Sequence, residues 1–539
     1  MADSAERQNT ASLEDKLHKI NEIIKQSTVM EEGTLPRYRL KPRTDSADNY
    51  PSYRKITFGE RERDNNKTHK TILMVGETGA GKTTLINAMV NYILRIEKND
   101  KVWFEITDDN SDEHRSLVQS QTSRITIYDL NLQDRKIYLT IIDTPGYGDT
   151  HDIQNDKEIA MSLLNLSRCN DWVHEIHTVC LAIKATENRL SDRQQYIFDA
   201  VQSLFGRDIA ENIVLLFTHS CLCPKNALMA VKEAKVKCAV NDKNQPVFFT
   251  FNNCHSEAAD QKDENMENYA WKLSNEGMKG LFNFLDNIKP KTLKMTQNVL
   301  QQQKQLEANI FNLQSRVQEM ELKQNELTQT QEALEKNKED VRNNKNFEYE
   351  VEVTYKEKIP IDPKMWRLTK KATCCTICEE NCHYPGCWWA DDISWCSVMK
   401  DDYCTVCTNK CHYSRHVKEA KIYEAKKEKK TRTYEELKNK YFGEICAGKS
   451  LVKKLEEELQ ELEIKKTQLV NEAFDCVVNL EMTALNPDSL LILLHVDFLT
   501  EKLREIKMFE KAKILEDIKR RAGGHKKGAL GYFTRLVKK

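Results

Sequence analysis

Short apolar runs alternate with helical stretches between residues 70 and 294. The runs predict strands over Thr71–Val75, Arg124–Leu130, Ile137–Ile142, Val179–Ile183, Ile213–Phe217 and Pro246–Phe251. A helix is predicted directly after the first strand, over Thr83–Ile96. Strands that alternate with helices are typical of a mostly parallel α/β sheet with helices on both faces. We assign this domain to residues 69–295.

The chain before this domain has a weaker pattern. Leu13, Leu17, Ile20 and Ile24 are spaced as on one face of a short helix. The stretch from Glu31 to Tyr53 is rich in Pro, Asp and Arg, which is typical of a linker. We therefore predict an N-terminal helix and linker over residues 1–68.

After residue 295 the apolar positions change to a seven-residue period. They are Val299, Leu306, Leu313, Met320, Leu327, Leu334 and Val341 in a first segment, and Leu455, Leu462, Leu469 and Cys476 in a second. A seven-residue period is the pattern of a coiled coil, although several Gln residues weaken this one. We predict an antiparallel coiled-coil hairpin formed by residues 296–345 and 436–485.

Between the two coiled-coil segments, apolar and charged residues alternate in Phe347–Lys358 and again in Val417–Tyr434. Alternation of this kind predicts a paired β-ribbon. We expect residues 346–435 to form a small zinc-binding β module at the tip of the hairpin. After Pro487 a further helix is predicted to about Arg521, followed by a basic tail, within residues 486–539.

Composition narrows the choice of partners and compartment. Lys plus Arg is 82 and Asp plus Glu is 83, so the net charge gives no support to nucleic-acid binding. No apolar run approaches the ~18 residues of a membrane span, and the first residues lack a signal-peptide core, so we expect a cytoplasmic protein. Nine of the 17 cysteines lie between Cys374 and Cys411. In a reducing compartment, such clustering favours metal binding over disulfides.

The glycine-rich stretch after the first strand satisfies the P-loop pattern G-x-x-x-x-G-K-[ST]. Its backbone N–H groups are expected to surround phosphate oxygens, with Lys82 at the β- and γ-phosphates and the Thr83 hydroxyl on Mg²⁺. The nucleotide-binding residues assigned here are Gly76, Glu77, Thr78, Gly79, Ala80, Gly81, Lys82, Thr83 and Thr84.

A second phosphate-site signal, Asp143-Thr144-Pro145-Gly146, follows the strand Ile137–Ile142. An Asp at this strand end can hold Mg²⁺ through water, and the N–H of Gly146 can contact the γ-phosphate. Thr122 is our candidate for the switch threonine that ligates Mg²⁺, the alternative being an ordinary strand-edge threonine. Lys82, Thr122 and Gly146 are the predicted catalytic groups.

The P-loop together with Asp143-Thr144-Pro145-Gly146-Tyr147-Gly148-Asp149 resembles the septin-like and AIG-type (GIMAP-like) GTPases, over about Lys70 to Val299. The resemblance implies Mg²⁺ and GTP as ligands, G domains that pair as a homodimer or oligomer, and slow hydrolysis until they pair. It also implies base recognition by Thr218, His219, Asn252 and Asn253.

Two positions depart from that family pattern. Cys221 stands where the T-x-x-D segment has its guanine-binding Asp, and a thiol cannot accept both guanine N–H groups as a carboxylate does. GTP and ATP therefore both stay open as ligands. Tyr147 occupies the place of the glutamine that orients water in Ras-like proteins. A slow GTPase switch and a non-hydrolysing nucleotide-binding scaffold are the two functions that the sequence supports.

The cysteine-rich stretch contains an internal repeat with an offset of 29 residues. The matched candidate ligands are Cys375, Cys378, Cys382 and Cys387 in the first repeat, and Cys404, Cys407, Cys411 and His416 in the second. Zinc takes four tetrahedral sulfur or nitrogen ligands, so we predict two Zn²⁺. Ligation within each repeat and interleaved ligation both remain open, and a zinc-dependent ubiquitin ligase is disfavoured by the spacing.

Partners are also suggested outside the G domain. From Lys519 to the end there are eight Lys or Arg and no acidic residue, with apolar residues between them. This tail is either a solvated segment or a contact for an anionic membrane surface. The coiled coil and the cysteine module are candidate sites for protein partners.

Overall fold

The computed structural model places two compact units, residues 1–300, 483–490 and 523–539 in the first, and 301–482 and 491–522 in the second. The residues that it describes are 14, 16–33, 35–45, 53–59, 68–107, 125–131, 137–148, 156, 159–160, 162–163, 166, 175–186, 190–221, 223–253, 264–361, 371–384, 386, 392–440, 451–522 and 526–537. In the part of the chain so described, no helix is both long and apolar enough to span a membrane.

The first unit is built on an eight-stranded, mostly parallel sheet in the order β12-β11-β10-β5-β8-β7-β4-β3. The strands of this unit are β1 Ser27–Glu31, β2 Arg37–Leu40, β3 Thr44–Asp45, β4 Tyr53–Gly59, β5 Thr68–Gly76, β6 Trp103–Glu105, β7 Ile125–Asn131, β8 Ile137–Asp143, β9 Glu175–Ile176, β10 Thr178–Lys184, β11 Ile213–Thr218, β12 Phe248–Thr250 and β13 Lys291–Thr292. Its helices are α1 Lys82–Ile93, α2 Asp192–Ser203, α3 Lys225–Glu233 and α4 Glu264–Asn287.

This architecture confirms the predicted α/β class, and all six predicted strands overlap observed ones. The central strand β5 pairs in parallel with β10 on one side and β8 on the other. Continuous burial of Ile72, Leu73, Met74 and Val75 explains the uninterrupted apolar run, because helices cover both faces of a doubly wound sheet. The carboxyl end of β5 therefore opens at the sheet edge where ligands bind in such folds.

The prediction of an accessory helix and linker before residue 69 is wrong in part. Residues 16–25 are helical and Ile20 is buried in the core, as the spacing suggested. The predicted linker, however, contains β2, which pairs in parallel with β6, and it ends at β4, which joins the main sheet beside β7. Buried Ile56 and Phe58 belong to the same core. The G domain consequently includes this N-terminal segment.

The second unit contains the long helices predicted from the seven-residue period. They are α5 Lys294–Lys336, which begins in the first unit, α6 Lys338–Arg342, α7 Tyr434–Lys440, α8 Leu451–Thr483, α9 Leu490–Glu505 and α10 Phe509–Ala522. Leu306 and Leu313 of α5 are buried, as are Leu469 and Cys476 of α8. The side-chain nitrogen of Asn309 lies 3.6 Å from the sulfur of Cys476, and Leu459 packs on the cluster that contains Leu327 and Leu334, so α5 and α8 run antiparallel.

A single helix from Pro487 to Arg521 is not found. The chain breaks between α9 and α10 at Lys507, which has a φ of 61°. Both helices lie along α8, through an ion pair of Lys466 with Glu505 and one of Arg521 with Glu481. The hairpin is thus thickened into a helical bundle. The last helix, α11 Lys527–Val537, belongs to the first unit.

The predicted β-ribbon is present as β14 Glu348–Pro360 and β20 Lys421–Thr433, paired antiparallel along their whole length. The remaining strands of the second unit are β15 Ala372–Cys375, β16 Glu380–His383, β17 Met399–Lys400, β18 Tyr403–Cys404 and β19 His416–Glu419.

The cysteine module does not lie at the tip of the hairpin, where we expected it. The ribbon runs back along α5, with the Thr354 N–H donating to Glu326 at 2.8 Å. Further along, Arg316 of α5 pairs with Glu380 of the module at 2.9 Å, and Lys410 pairs with Glu472 of α8. These ion pairs hold the module against the side of the helices. The charged side chains of α5 and α8 supply partners there for polar groups of the ribbon and the module.

Candidate nucleotide site and candidate metal centre

The P-loop connects β5 to α1. Gly79 and Gly81 have φ values of 74° and 79°, a conformation that glycine adopts without steric cost. Lys82 is the first residue of α1, and its ammonium donates to the carbonyl oxygens of Gly76 at 3.1 Å and Glu77 at 3.0 Å. The predicted loop is therefore curled around the lysine, with Thr83 and Thr84 in the first helical turn.

Burial lowers the pKa of the Lys82 ammonium to about 8, although the carboxylates of Asp143 and Glu77 oppose that shift. Lys82 as a whole residue is only 6% exposed. A buried cation of this kind is strongly stabilised by an incoming anion, because the anion replaces the hydration that the lysine has lost.

The segment after Asp143 is hydrogen-bonded to the P-loop. The Tyr147 N–H donates to the Gly76 oxygen at 3.0 Å, and the Thr78 N–H donates to the Tyr147 oxygen at 3.1 Å. A Cβ on Gly146 would lie 2.4 Å from the Cα of Thr78. Only glycine allows this approach, so the two predicted phosphate elements form one structure.

The donor chemistry fits Mg²⁺ and a triphosphate. Asp143 ends β8 and is buried, and the partly exposed Thr83 hydroxyl is on the first turn of α1. Both offer the hard oxygen ligands that Mg²⁺ prefers. The Thr78 hydroxyl is buried and has no hydrogen-bond partner among the described residues, as expected for a group that faces a ligand.

The predicted base-binding residues also converge. The Thr218 hydroxyl donates to the Ala80 oxygen at 2.8 Å, which ties β11 to the P-loop. His219 follows in a left-handed conformation and is exposed. The side-chain nitrogen of Asn252 lies 3.8 Å from the sulfur of exposed Cys221. Cys221 thus sits at this edge beside Asn252 and half-buried Asn253.

Arg193 of α2 belongs to the phosphate site, and sequence reasoning missed it. Its guanidinium pairs with Glu77 of the P-loop at 2.8 Å and donates to the Gly148 oxygen at 2.9 Å. From the same helix, the Tyr196 hydroxyl donates to Asp156 at 2.6 Å, and the Gly148 N–H donates to that carboxylate. No local sequence signal marks these residues, since their partners are 40 or more positions away.

The C-terminal helix α11 packs on the other side of α2. The ring of Phe533 stacks on Tyr196 at 5.7 Å between centroids, and Phe533 is buried. The Lys526 ammonium is also buried and lies 2.9 Å from Asp199. The apolar side of the basic tail is accordingly covered by the G domain in this structure. Membrane contact through the tail stays a prediction.

The candidate ligands of the cysteine repeat lie in two groups. Each group combines residues of both repeats, so the ligands are interleaved and not grouped within each repeat. Cys375 and Cys378 of the first repeat meet Cys407 and Cys411 of the second. Cys382 of the first repeat meets Cys404, Cys407 and His416 of the second. Within each group all ligand atoms lie within 4.8 Å of one another. Thiolates with an imidazole form a donor set that suits zinc.

Two predicted site residues, Thr122 and Cys387, lie outside the described residues. Two cysteines of this stretch that are not among the predicted ligands have other partners: Cys374 donates to the Asn381 side-chain oxygen, and the Cys396 sulfur lies 3.2 Å from a ring nitrogen of His383.

Comparison with known proteins agrees with this geometry. Residues 66–177 match the septin family model. Curated relatives include Septin-1 of Drosophila melanogaster, 33% identical over 16% of this chain and 21% of the relative, and Septin-2B of Xenopus tropicalis, 34% identical over 15% and 19%. The chain thus spans about a fifth of the length of the curated relatives it matches.

Among solved structures, Toc33 from Arabidopsis thaliana in complex with GDP and Mg²⁺ matches with a TM-score of 0.29 and 17% identity, over 42% of this chain and 88% of that one. Translation elongation factor SelB from Methanococcus maripaludis matches with a TM-score of 0.22 and 9% identity, over 42% and 35%. The septin match falls on the P-loop and the Asp143 segment, so the nucleotide site is septin-like.

Proposed function

We propose that this protein binds GTP with Mg²⁺, hydrolyses it slowly, and uses paired G domains to control the state of its helical arm. The observation that carries the proposal is the P-loop bonded through its backbone to the Asp143–Gly148 segment. In this arrangement a γ-phosphate is in reach of both elements. Loss of that phosphate is therefore expected to change how they contact each other.

Each residue has a distinct part in this site. The P-loop N–H groups and Lys82 would bind the phosphates, while Thr83 and Asp143 would hold Mg²⁺, which supplies charge neutralisation when bound. Arg193 keeps Glu77 and Gly148 in place. Gly146 lets its segment approach the P-loop, because any side chain there would collide with Thr78, and its N–H would contact the γ-phosphate.

Slow hydrolysis follows from Tyr147. Its ring is 1% exposed, and burial raises the pKa of its hydroxyl well above the ordinary value. A protonated phenol cannot deprotonate a water at the γ-phosphate, and a buried hydroxyl cannot reach that water to orient it. We propose that a second G domain supplies the completing group, so that pairing accelerates the reaction.

The test is multiple-turnover hydrolysis with Lys82→Ala, using Lys225→Ala as the control. Both lysines begin a helix, but Lys225 is exposed and outside the site. Lys82→Ala should abolish triphosphate binding in calorimetry, whereas Lys225→Ala should bind normally. Equal triphosphate binding by the two variants would refute the proposal. If the wild type binds but never turns over, even at high concentration, the scaffold function is the correct one.

Cys221 supports weak discrimination between GTP and ATP. We expect Cys221→Asp to favour GTP by about 10- to 150-fold, because a charged hydrogen bond contributes about 1.5–3 kcal/mol. Cys223→Asp is the matched control, since Cys223 is exposed and two residues further on. A several-hundredfold preference for GTP in the wild type would contradict the argument from Cys221.

The cysteine module is proposed to hold two structural Zn²⁺, one in each group of ligands. Its sulfur and nitrogen donors converge and most of them are buried. Zinc in closed sites of this kind stabilises small modules directly. The full-length protein purified under reducing conditions should contain two zinc ions, and a chelator should remove them without stopping hydrolysis while Mg²⁺ is in excess. Metal-free protein with a folded module would refute this part.

A further inference from the structure

The two ligand groups of the cysteine module have one member in common. Cys375, Cys378 and Cys411 belong to the first group alone, and Cys382, Cys404 and His416 to the second alone. Cys407 is in both, and its sulfur is within 4.8 Å of every other ligand atom. Two separate tetrahedral ions need eight ligands, whereas the described residues supply seven.

We propose that Cys407 is a bridging thiolate, and that the module holds a binuclear zinc cluster. Each ion then has three ligands of its own and shares the fourth, so that seven residues complete two tetrahedra. The proposal rests on the zinc assignment made above and goes beyond it by naming how the two ions are joined.

The backbone around the sulfurs is arranged as metal-bound thiolates require. The Cys378 N–H points at the Cys375 sulfur at 3.4 Å, and the equivalent Cys407 N–H points at the Cys404 sulfur at 3.4 Å. The Cys411 N–H donates to the Cys407 sulfur at 3.2 Å. Such N–H groups stabilise negative charge on sulfur and orient the ligand.

His416 is held in one orientation. One ring nitrogen, Nδ1, lies 3.1 Å from the His412 carbonyl oxygen, to which it can donate. The other, Nε2, is buried and has no hydrogen-bond partner among the described residues. A ligating histidine typically donates its second N–H to a carbonyl in this way, which leaves the free nitrogen for the metal.

The three-stranded sheet of the module explains why each ligand group combines residues of both repeats. β15 lies between β16 and β19, and Cys375 is opposite both Glu380 and His416. The two repeats therefore interlock at their strands instead of closing separately. The sulfurs of Cys378 and Cys411, one from each repeat, lie 3.8 Å apart.

The decisive measurement uses the wild-type, full-length protein reconstituted with ¹¹³Cd²⁺. A bridging sulfur joins the two metals through two bonds, so two cadmium resonances coupled to each other are expected, with the Cys407 β-protons coupled to both. Two uncoupled resonances would overturn the bridge while leaving the two-metal proposal intact. A protein that takes up no metal would refute both, and nucleotide binding, measured separately, is unaffected by either result.

Variants give an independent test by metal analysis. Cys407→Ala removes a ligand from both ions and should lower the content from two zinc ions to none, or abolish folding of the module. Cys387→Ser should retain two ions, because the cluster is complete without that residue. If Cys387→Ser retains only one ion while Cys407→Ala also retains one, the sites are separate and the bridge is wrong.

Discussion

Substitution of Lys526 by Met is expected to release the C-terminal helix from the G domain. The lysine is the residue directly before α11, and its ammonium contacts Asp199 of α2, Asn486 and Asp488 at 2.9–3.2 Å. Lys526 and Asp199 are both buried, with side-chain exposures of 10% and 6%. Methionine matches the lysine side chain as far as Cε and removes only the terminal ammonium with its charge and hydrogen bonds.

The size of the expected stability loss depends on the hydrogen-bond donors that still contact Asp199 after the substitution. Removal of one partner of a buried ion pair costs about 3–5 kcal/mol, because the other charge is left uncompensated. Here the Asp199 carboxylate keeps two donors, Asn486 at 2.8 Å and the Leu490 N–H at 2.9 Å. We therefore expect a loss at or below the lower limit of that range, about 2–3 kcal/mol, which corresponds to about a 30- to 150-fold change in the opening equilibrium.

Amide hydrogen exchange in the full-length protein measures this directly, since exchange in α11 reports local opening. Protection of the α11 amides should fall by that factor in Lys526→Met. Lys527→Met is the control, because Lys527 is one residue away and exposed, and it should change protection by no more than about twofold. Equal effects of the two substitutions would refute the idea that the buried ion pair holds the helix.

Three further predictions concern the phosphate site. Gly146→Ala should weaken Mg²⁺-triphosphate binding by about 5- to 150-fold in calorimetry, since the added Cβ would lie 2.4 Å from Thr78 and overpacking costs about 1–3 kcal/mol. Gly531→Ala is the control and should bind normally, because a Cβ added there would meet no atom within 4 Å. Affinity should be steady below about pH 7 and about tenfold lower at pH 9, because the free Lys82 has a pKa of about 8 and bound phosphate raises that pKa. Deprotonation of the free lysine as the pH rises through 8 therefore opposes binding, and a flat profile would contradict this. Arg193→Met should weaken binding by about five- to tenfold through loss of its bonds to Glu77 and Gly148, while exposed Arg207→Met should not.

Local patterns predicted the parts of the fold whose cause is local. The run Ile72–Val75 is apolar because β5 is covered on both faces, and the glycines of the P-loop follow from its φ angles. The repeat offset of 29 residues likewise predicted the seven cysteine and histidine residues that the structure gathers into two candidate ligand groups. Where neighbours along the chain determine the conformation, the sequence is sufficient.

Long-range pairing was not predictable in the same way. β4 lies in the segment before residue 69 that we predicted to be outside the main domain, yet it joins the sheet because β7 and the core beneath it supply its partners. Lys507 breaks the long C-terminal helix without a Gly or Pro to signal it. The module lies beside α5, where its Glu380 pairs with Arg316, a residue 64 positions earlier in the chain. These contacts depend on pairs of residues that no window of the sequence contains.

Helix α2 contacts both the phosphate site and the C-terminal helix α11 through residues on one of its faces. Arg193 contacts the P-loop and Gly148, Tyr196 contacts Asp156, and Asp199 contacts Lys526. These residues are three apart, so they lie along one face of the helix. A shift of Gly148 on loss of the γ-phosphate would move Arg193 and Tyr196, and the Phe533 ring stacked on Tyr196 would have to follow. The packing of α11 is consequently expected to depend on the nucleotide, and α11 protection in the GTP-analogue and GDP states should differ in the wild type and differ less in Arg193→Met.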